Sequence, residues 1–388
     1  MTDFRFALAS KFRPFSGGTQ RFACLFIMLI LTCSPVLATV KTLLGNKHLY
    51  DGETLVSAAG FPALIKYVEA DKDKPLVIFV PGDAHLARIA YGFPKGNPQD
   101  FLAYWLNQAG YPFLGVSYPL ENPVFSKTYP EYNIRDWGEQ VAQIAAHTVA
   151  ENGLSKHVII CGWSMGGKIA ASVSSAVRKH GLTTDIFVAM SADPPVVGLL
   201  PKSLTDNIKM LPDGLADRKR VFPWFVNAIG QQSTYNGRTI IPRDVFLGEF
   251  IGNIPVGLME TGLVYRDGKF VHDLEGTLND AEMLDFAVYP IPAVIHGDSP
   301  DDAENVLFDT SDWAFIRNRA IVRRMRGDTP YDKIPPARWQ QIQQAVRTSG
   351  QYLTEWVQGN HFFFLGEIGA RDAAQKIIRL HQRAATIK

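Results

Sequence analysis

The stretch Val158-Ile159-Ile160-Cys161-Gly162-Trp163-Ser164-Met165-Gly166-Gly167-Lys168-Ile169 decides how this chain is read. Val158 to Cys161 is a continuous apolar run, the composition of a strand covered on both faces. Met165, Ile169, Val173 and Val177 then recur every four residues, which is the spacing of one helix face. A serine among glycines therefore falls where a buried strand turns directly into a helix. Three readings compete for that turn: a catalytic nucleophile, a phosphate-binding loop and an ordinary tight turn.

The alternation extends on both sides. Leu76 to Val80 reads as a buried strand, and Phe101, Leu102, Trp105, Leu106 and Ala109 follow at helical spacing up to Gly110. Pro112 to Tyr118 is the next strand, and Ile134, Trp137, Val141, Ile144 and Thr148 mark a helix ending near Gly153. Ile186 to Met190 is another strand. This rhythm predicts an α/β fold, a mostly parallel, doubly wound sheet with helices on both faces. It breaks at Asp193-Pro194-Pro195, and residues 196–290 are rich in proline, glycine and aromatics. A segment that long is too large for a loop and reads as an insertion. Strand character resumes at Ala293-Val294-Ile295, followed by helices around 313–326 and 339–346, a strand over 352–357 and a closing amphipathic helix over 373–384.

Gly162-Trp163-Ser164-Met165-Gly166 matches G-x-S-x-G in the strand-to-helix context the motif requires. The glycines keep side chains from colliding as the strand reverses into the helix. The backbone N–H of Met165 then faces the place where an oxyanion forms. Gly162 to Lys168 also spells G-x-x-x-x-G-K, but Ile169 stands where a phosphate loop needs Ser or Thr to hold magnesium. Lys168 is expected to be a solvated helix residue.

With its Gly162-Trp163-Ser164-Met165-Gly166-Gly167 elbow, the chain from about residue 60 onward resembles the α/β-hydrolase superfamily. The resemblance implies an inserted cap after the sixth strand, a triad in the order Ser, acid, His, and no cofactor or metal. With the break in the strand–helix rhythm and the basic-then-apolar N-terminus, the expected division is a signal peptide or N-terminal anchor (1–38), a first core part (39–195), the cap (196–290) and a second core part (291–388). With Ser164 as nucleophile, the histidine must come late, which leaves His361 and His381. His361 lies in a strand-to-helix loop and is chosen; His381 sits inside the closing helix. For the acid, Asp301 is chosen from the loop His296-Gly297-Asp298-Ser299-Pro300-Asp301-Asp302, with Asp302 and Asp298 as close rivals and Asp193 as an outside possibility. His296 is expected to be structural. The second oxyanion donor falls in Pro81-Gly82-Asp83-Ala84-His85, with the Asp83 N–H chosen and Ala84 the alternative. A carboxylate at Asp83 opposes a developing oxyanion unless it turns away or pairs, and Arg88 is the partner considered.

Composition narrows the function further. The 388 residues are 46% hydrophobic and 20% charged with a net charge of +1, which gives no reason to expect a nucleic-acid partner. Arg5, Lys11, Arg13 and Arg21 precede the apolar run Phe22 to Leu31, and Val36 and Ala38 fit a cleavage site before Thr39. The expectation is a signal peptide and a secreted or periplasmic protein. A membrane becomes a partner only if residues 22–38 stay as an anchor. Thr32 argues against lipidation at Cys33. Loss of the leader leaves Cys161 alone, so no internal disulfide forms, and no Asn-x-Ser/Thr sequon supports a eukaryotic secretory route. Arg317, Arg319, Arg323, Arg324 and Arg326 read as a solvated helix face, and Phe222, Trp224 and Phe225 as an acyl pocket or simple packing of the cap. The expected activity is hydrolysis of a small-molecule carboxylic ester through an acyl-enzyme. A thioesterase or acyltransferase with the same triad is the first alternative, and a binding protein that kept the fold and lost turnover is the second.

Overall fold

A computed structural model describes residues 40–43, 45–195 and 209–387. The expected leader, residues 1–38, and the start of the insertion, residues 196–208, lie outside the described residues.

Nine strands form one sheet: β1 (Lys41–Thr42), β2 (Glu53–Ala58), β3 (Phe61–Val68), β4 (Leu76–Val80), β5 (Phe113–Ser117), β6 (His157–Trp163), β7 (Thr183–Met190), β12 (Pro292–Gly297) and β13 (Thr354–Val357). Their order is β1-β2-β3-β5-β4-β6-β7-β12-β13. The first three strands pair antiparallel with one another, and β3 pairs antiparallel with β5. From β5 to β13 every pairing is parallel. Every residue of β4, β5 and β12 is buried, as the apolar runs over residues 76–80, 113–116 and 293–295 predict for strands covered on both faces.

The helices follow from the crossovers. After the short α1 (Arg88–Tyr91), α2 (Leu102–Gln108) carries the chain one way along the sheet. Helices α3 (Ile134–Asn152) and α4 (Ala170–Lys179) carry it the other way. Right-handed crossovers therefore place α2 on one face and the α3–α4 pair on the opposite one. Helix α3 starts at an Asn133–Asp136 capping box and stops at Gly153, whose φ of +63° suits glycine.

Between β7 and β12 the described residues add no strand to the large sheet. They form a small antiparallel pairing of β8 (Leu215–Ala216) with β9 (Ile254–Pro255), and the hairpin of β10 (Leu263–Arg266) and β11 (Lys269–His272). Among the described residues the insertion also holds three α-helices: α5 (Phe222–Tyr235), α6 (Arg243–Glu249) and α7 (Leu274–Ala281). The chain ends with α8 (Asp309–Arg326) and α9 (Pro336–Tyr352), then α10 (Glu367–Ala385), which packs on α2 and on β7, β12 and β13. The hairpin β2–β3 is the one part of the large sheet beyond a two-residue edge that the residue pattern did not suggest. Among the described residues no helix is long and apolar enough to cross a membrane.

Candidate active site

Ser164 is the first residue after β6, at the start of a tight 3-10 turn, Ser164–Ile169, that leads into α4. Its φ is +52°, a region that costs a non-glycine residue about 1 kcal/mol or more. The turn is possible because its neighbours lack side chains. A Cβ at Gly162 would lie 2.6 Å from the Gly166 carbonyl oxygen, and one at Gly167 would lie 2.2 Å from that of Asp193. The loop after β4 passes directly against the serine: a Cβ at Gly82 would stand 2.6 Å from Ser164 Cβ and 3.2 Å from its Oγ.

His361 arrives on the loop between β13 and α10 and is 4% exposed. The indole N–H of Trp163, the residue before the serine, donates to its carbonyl at 3.0 Å, and the two rings lie 5.2 Å apart. Helix α5 fixes the same loop. Asn360 donates to the Ala228 carbonyl at 2.9 Å and to Gln231 at 2.7 Å, and Gln232 donates to the Phe362 carbonyl at 3.0 Å. Trp224 of α5 lies with its ring 5.5 Å from the imidazole.

The four candidate aspartates have four different environments. Asp302 places Oδ1 2.8 Å from His361 Nδ1, with both side chains almost fully buried. Asp301, chosen from sequence, is not the residue brought to the imidazole: it is exposed and accepts from Gln231 at 3.3 Å. The physical reason is the turn Pro300–Asp302, where successive residues point in different directions and only the last is buried. Asp298 accepts from the Gly359 N–H at 2.8 Å and so holds the histidine loop. Asp193 accepts from Asn305 at 3.1 Å, while its N–H donates to the Ser164 carbonyl at 3.1 Å.

Charge sets the behaviour of the imidazole. Burial alone would lower the His361 pKa, but the charge and hydrogen bond of Asp302, helped by Asp193 and Asp83, outweigh it and raise it above the ordinary histidine value. His381 is elsewhere, 2.9 Å from Asp185. His296 is fully buried and meets the Thr310 hydroxyl at 2.8 Å, and burial pushes its pKa down to about 4, as a structural histidine requires.

Met165 directly follows Ser164, and Asp83 directly follows Gly82, the residue that passes against the serine. Met165 is the second residue of the helical turn, where N–H groups have no intrahelical acceptor. The Asp83 N–H has no partner among the described residues. Its loop is held by the Tyr118 hydroxyl, which donates to the Gly82 carbonyl at 2.7 Å, and by His85 Nδ1, 2.6 Å from the Asp83 carbonyl. Burial drives the His85 pKa down to about 3, so the ring is neutral and Nδ1–H donates. Ala84, the alternative donor, has φ +62°.

Three further expectations need correction. The partner of the Asp83 carboxylate is Arg218, from the insertion; Arg88 is committed to Glu53 through bonds of 2.8 and 2.7 Å. Lys168 is 1% exposed rather than solvated, because Glu260, from a distant part of the chain, lies 3.5 Å from its ammonium group. Arg317 is also buried, at 1%, and Arg323 is tied to the Phe286 and Tyr289 carbonyls, so the arginine helix is only partly a solvated face.

Serine after β6, carboxylate after β12 and histidine after β13 lie at the C-terminal ends of parallel strands, in that chain order. The fold is that of the α/β-hydrolases. No family model matches the chain, and no curated protein matches it. Among solved structures, it is similar to a thermophilic esterase from Thermogutta terrifontis, with 13% identity, 84% of this chain and 95% of that chain covered and a TM-score of 0.42. It is also similar to a membrane phospholipase A described as a bacterial virulence factor, at 13% identity, 86% coverage of both chains and a TM-score of 0.46. A third is a thioesterase domain from the curacin biosynthetic pathway, at 13% identity, 84% and 98% coverage and a TM-score of 0.40. Among the described residues no group of three or more His, Cys, Asp or Glu is placed to hold a metal ion. Cys161 is buried inside β6, and burial pushes its thiol pKa up, so it is no rival nucleophile.

Proposed function

We propose that this α/β-hydrolase-fold chain is a serine hydrolase that cleaves a carboxylic ester through an acyl-enzyme on Ser164. Ser164 Oγ attacks the acyl carbonyl while His361 Nε2 takes its proton. Asp302, on Nδ1–H, keeps the accepting lone pair on Nε2 and stabilises the imidazolium that forms. The N–H groups of Asp83 and Met165 receive the oxyanion. The tetrahedral intermediate collapses, His361 returns the proton to the leaving alcohol, and water repeats the sequence to release the acid.

One observation carries the reading: a serine on a positive-φ elbow directly follows Trp163, whose indole is bonded to the carbonyl of a buried histidine that is itself bonded to a buried carboxylate. Core packing alone rarely keeps such strain and such a pair together. The Arg218 pairing answers the objection that the Asp83 charge would oppose the oxyanion, which supports turnover over a binding protein that kept only the fold. Thioesters would use the same residues. The basic-then-apolar leader supports export, with residues 1–38 removed, and the N-terminal residue of the secreted protein tests that step.

The test is hydrolysis of short-chain p-nitrophenyl esters by the purified chain and by Ser164→Ala. Turnover lost in the variant with the melting temperature kept is the expected result. Equal turnover in both would remove Ser164 from the mechanism.

A further inference from the structure

We infer that Arg218 is a positioning residue for the oxyanion hole, binding the Asp83 side chain so that the same residue's backbone N–H serves the transition state. This rests on the ester-hydrolase reading above. Asp83 is an awkward donor, because its carboxylate carbon is only three bonds from the backbone nitrogen whose N–H must meet negative charge. Left free in a site whose side chains are mostly buried, that carboxylate would repel the oxyanion or swing the loop. Arg218 closes both routes. Its Nε lies 3.1 Å from Asp83 Oδ1 and its Nη2 bonds Oδ2, a two-point contact that cancels the charge and fixes the carboxylate plane. The two side chains are 11% and 14% exposed, so solvent screens them little.

The arginine is itself held. Its backbone N–H donates to Asn253 Oδ1 at 2.7 Å, and Asn253 is fully buried. Asn253 in turn donates to Glu121 at 2.5 Å, and its carbonyl accepts from the Glu121 N–H at 2.8 Å. The loop after β4 is tied to the same stretch through its main chain: Leu86 N–H to the Phe250 carbonyl at 2.8 Å, and Gly252 N–H to the Ala84 carbonyl at 3.0 Å. Ala84 keeps its left-handed φ within these restraints. The insertion thus reaches both reacting loops, through Arg218 at the oxyanion donor and through α5 at the histidine. It acts here as part of the catalytic frame as well as a cover.

The experiment measures kcat, KM and the affinity of an alkyl boronic acid, which mimics the tetrahedral intermediate, for wild type, Arg218→Met, Arg218→Lys and Arg218→Met/Asp83→Asn. Arg218→Met is expected to lower kcat by about 10², the effect of losing one oxyanion donor, with KM within about threefold and boronate affinity falling in parallel. Arg218→Lys, which cannot form the fork, recovers only part of the loss. The double variant, with no charge left to cancel, recovers most of it. An unrescued loss in the double variant, or a kcat for Arg218→Met within twofold of wild type, overturns the inference. If Arg218→Met does not fold, the Arg218→Lys variant decides on the same terms, with kcat and boronate affinity falling together or both unchanged. Wild type without turnover would instead mark failure of the ester reading itself.

Discussion

Replacing Asp302 with asparagine removes a charge and leaves the shape. The carboxylate and imidazole side chains are 3% and 6% exposed, so their interaction is poorly screened. At about 4 Å between charge centres and an effective dielectric of about 20, the carboxylate stabilises the imidazolium by about 4 kcal/mol, or about 10³ in rate. A second loss comes from the tautomer. The amide can donate to Nδ1, which moves the ring proton to Nε2, the nitrogen that must accept the serine proton. Together the two effects are expected to lower kcat on the order of 10⁴, as when the buried acid of a serine triad is made an amide. KM should change little, because the ground-state ester does not touch Asp302. The assay is the initial rate on p-nitrophenyl butyrate for wild type, Asp302→Asn and Asp301→Asn, with thermal melts to confirm folding. Asp301→Asn should stay within about threefold of wild type, since its partner Gln231 is outside the proton relay. An Asp302→Asn enzyme with a tenth or more of wild-type kcat, beside a crippled Asp301→Asn, would refute the reasoning.

Four further outcomes follow from the same structure. The acid limb of kcat/KM should lie above the ordinary histidine pKa of about 6.5, because Asp302 raises His361 despite its burial, and Asp302→Asn should move that limb downward. The same raised pKa stabilises the fold below the unfolded histidine value and ceases to do so as pH climbs through the folded one, so Asp302→Asn should lower the melting temperature more at pH 5 than at pH 9. Glu53→Gln leaves Arg88 buried and uncompensated, with side chains 1% and 0% exposed in the native pair, and should cost about 3–5 kcal/mol in urea unfolding. Burial, then repulsion from Asp193, pushes Asp309 up to about 8, so the folded state loses stability as pH rises from the unfolded carboxyl value toward 8. Asp309→Asn should accordingly raise the melting temperature at pH 9 and change it little at pH 4.

Much of this was legible because local patterns carry it. The buried strands announce themselves as apolar runs, and the elbow at Ser164 needs only its own glycines and the elements beside it. His361 was reachable through the superfamily resemblance and the chain order that it implies. What was not legible depends on contacts between distant segments. Whether Asp301 or Asp302 faces the imidazole is a matter of one residue's rotation in the Pro300–Asp302 turn, and neighbouring aspartates are alike in composition. The burial of Lys168 requires Glu260, and the neutralisation of Asp83 requires Arg218, each from an insertion with no regular period. The β2–β3 hairpin lacks a clean alternation: Leu55 and Val56 are both buried, so no polar residue separates its faces there.

The central claim is that Ser164 is an activated nucleophile. Fluorophosphonate labelling of the purified chain, with the modified peptide located by mass spectrometry, tests it most directly. The account predicts a single adduct on Ser164, formed quickly in wild type and at least about 10³ more slowly in Asp302→Asn. An intact, folded chain that carries no label, or carries it on another residue, would contradict it.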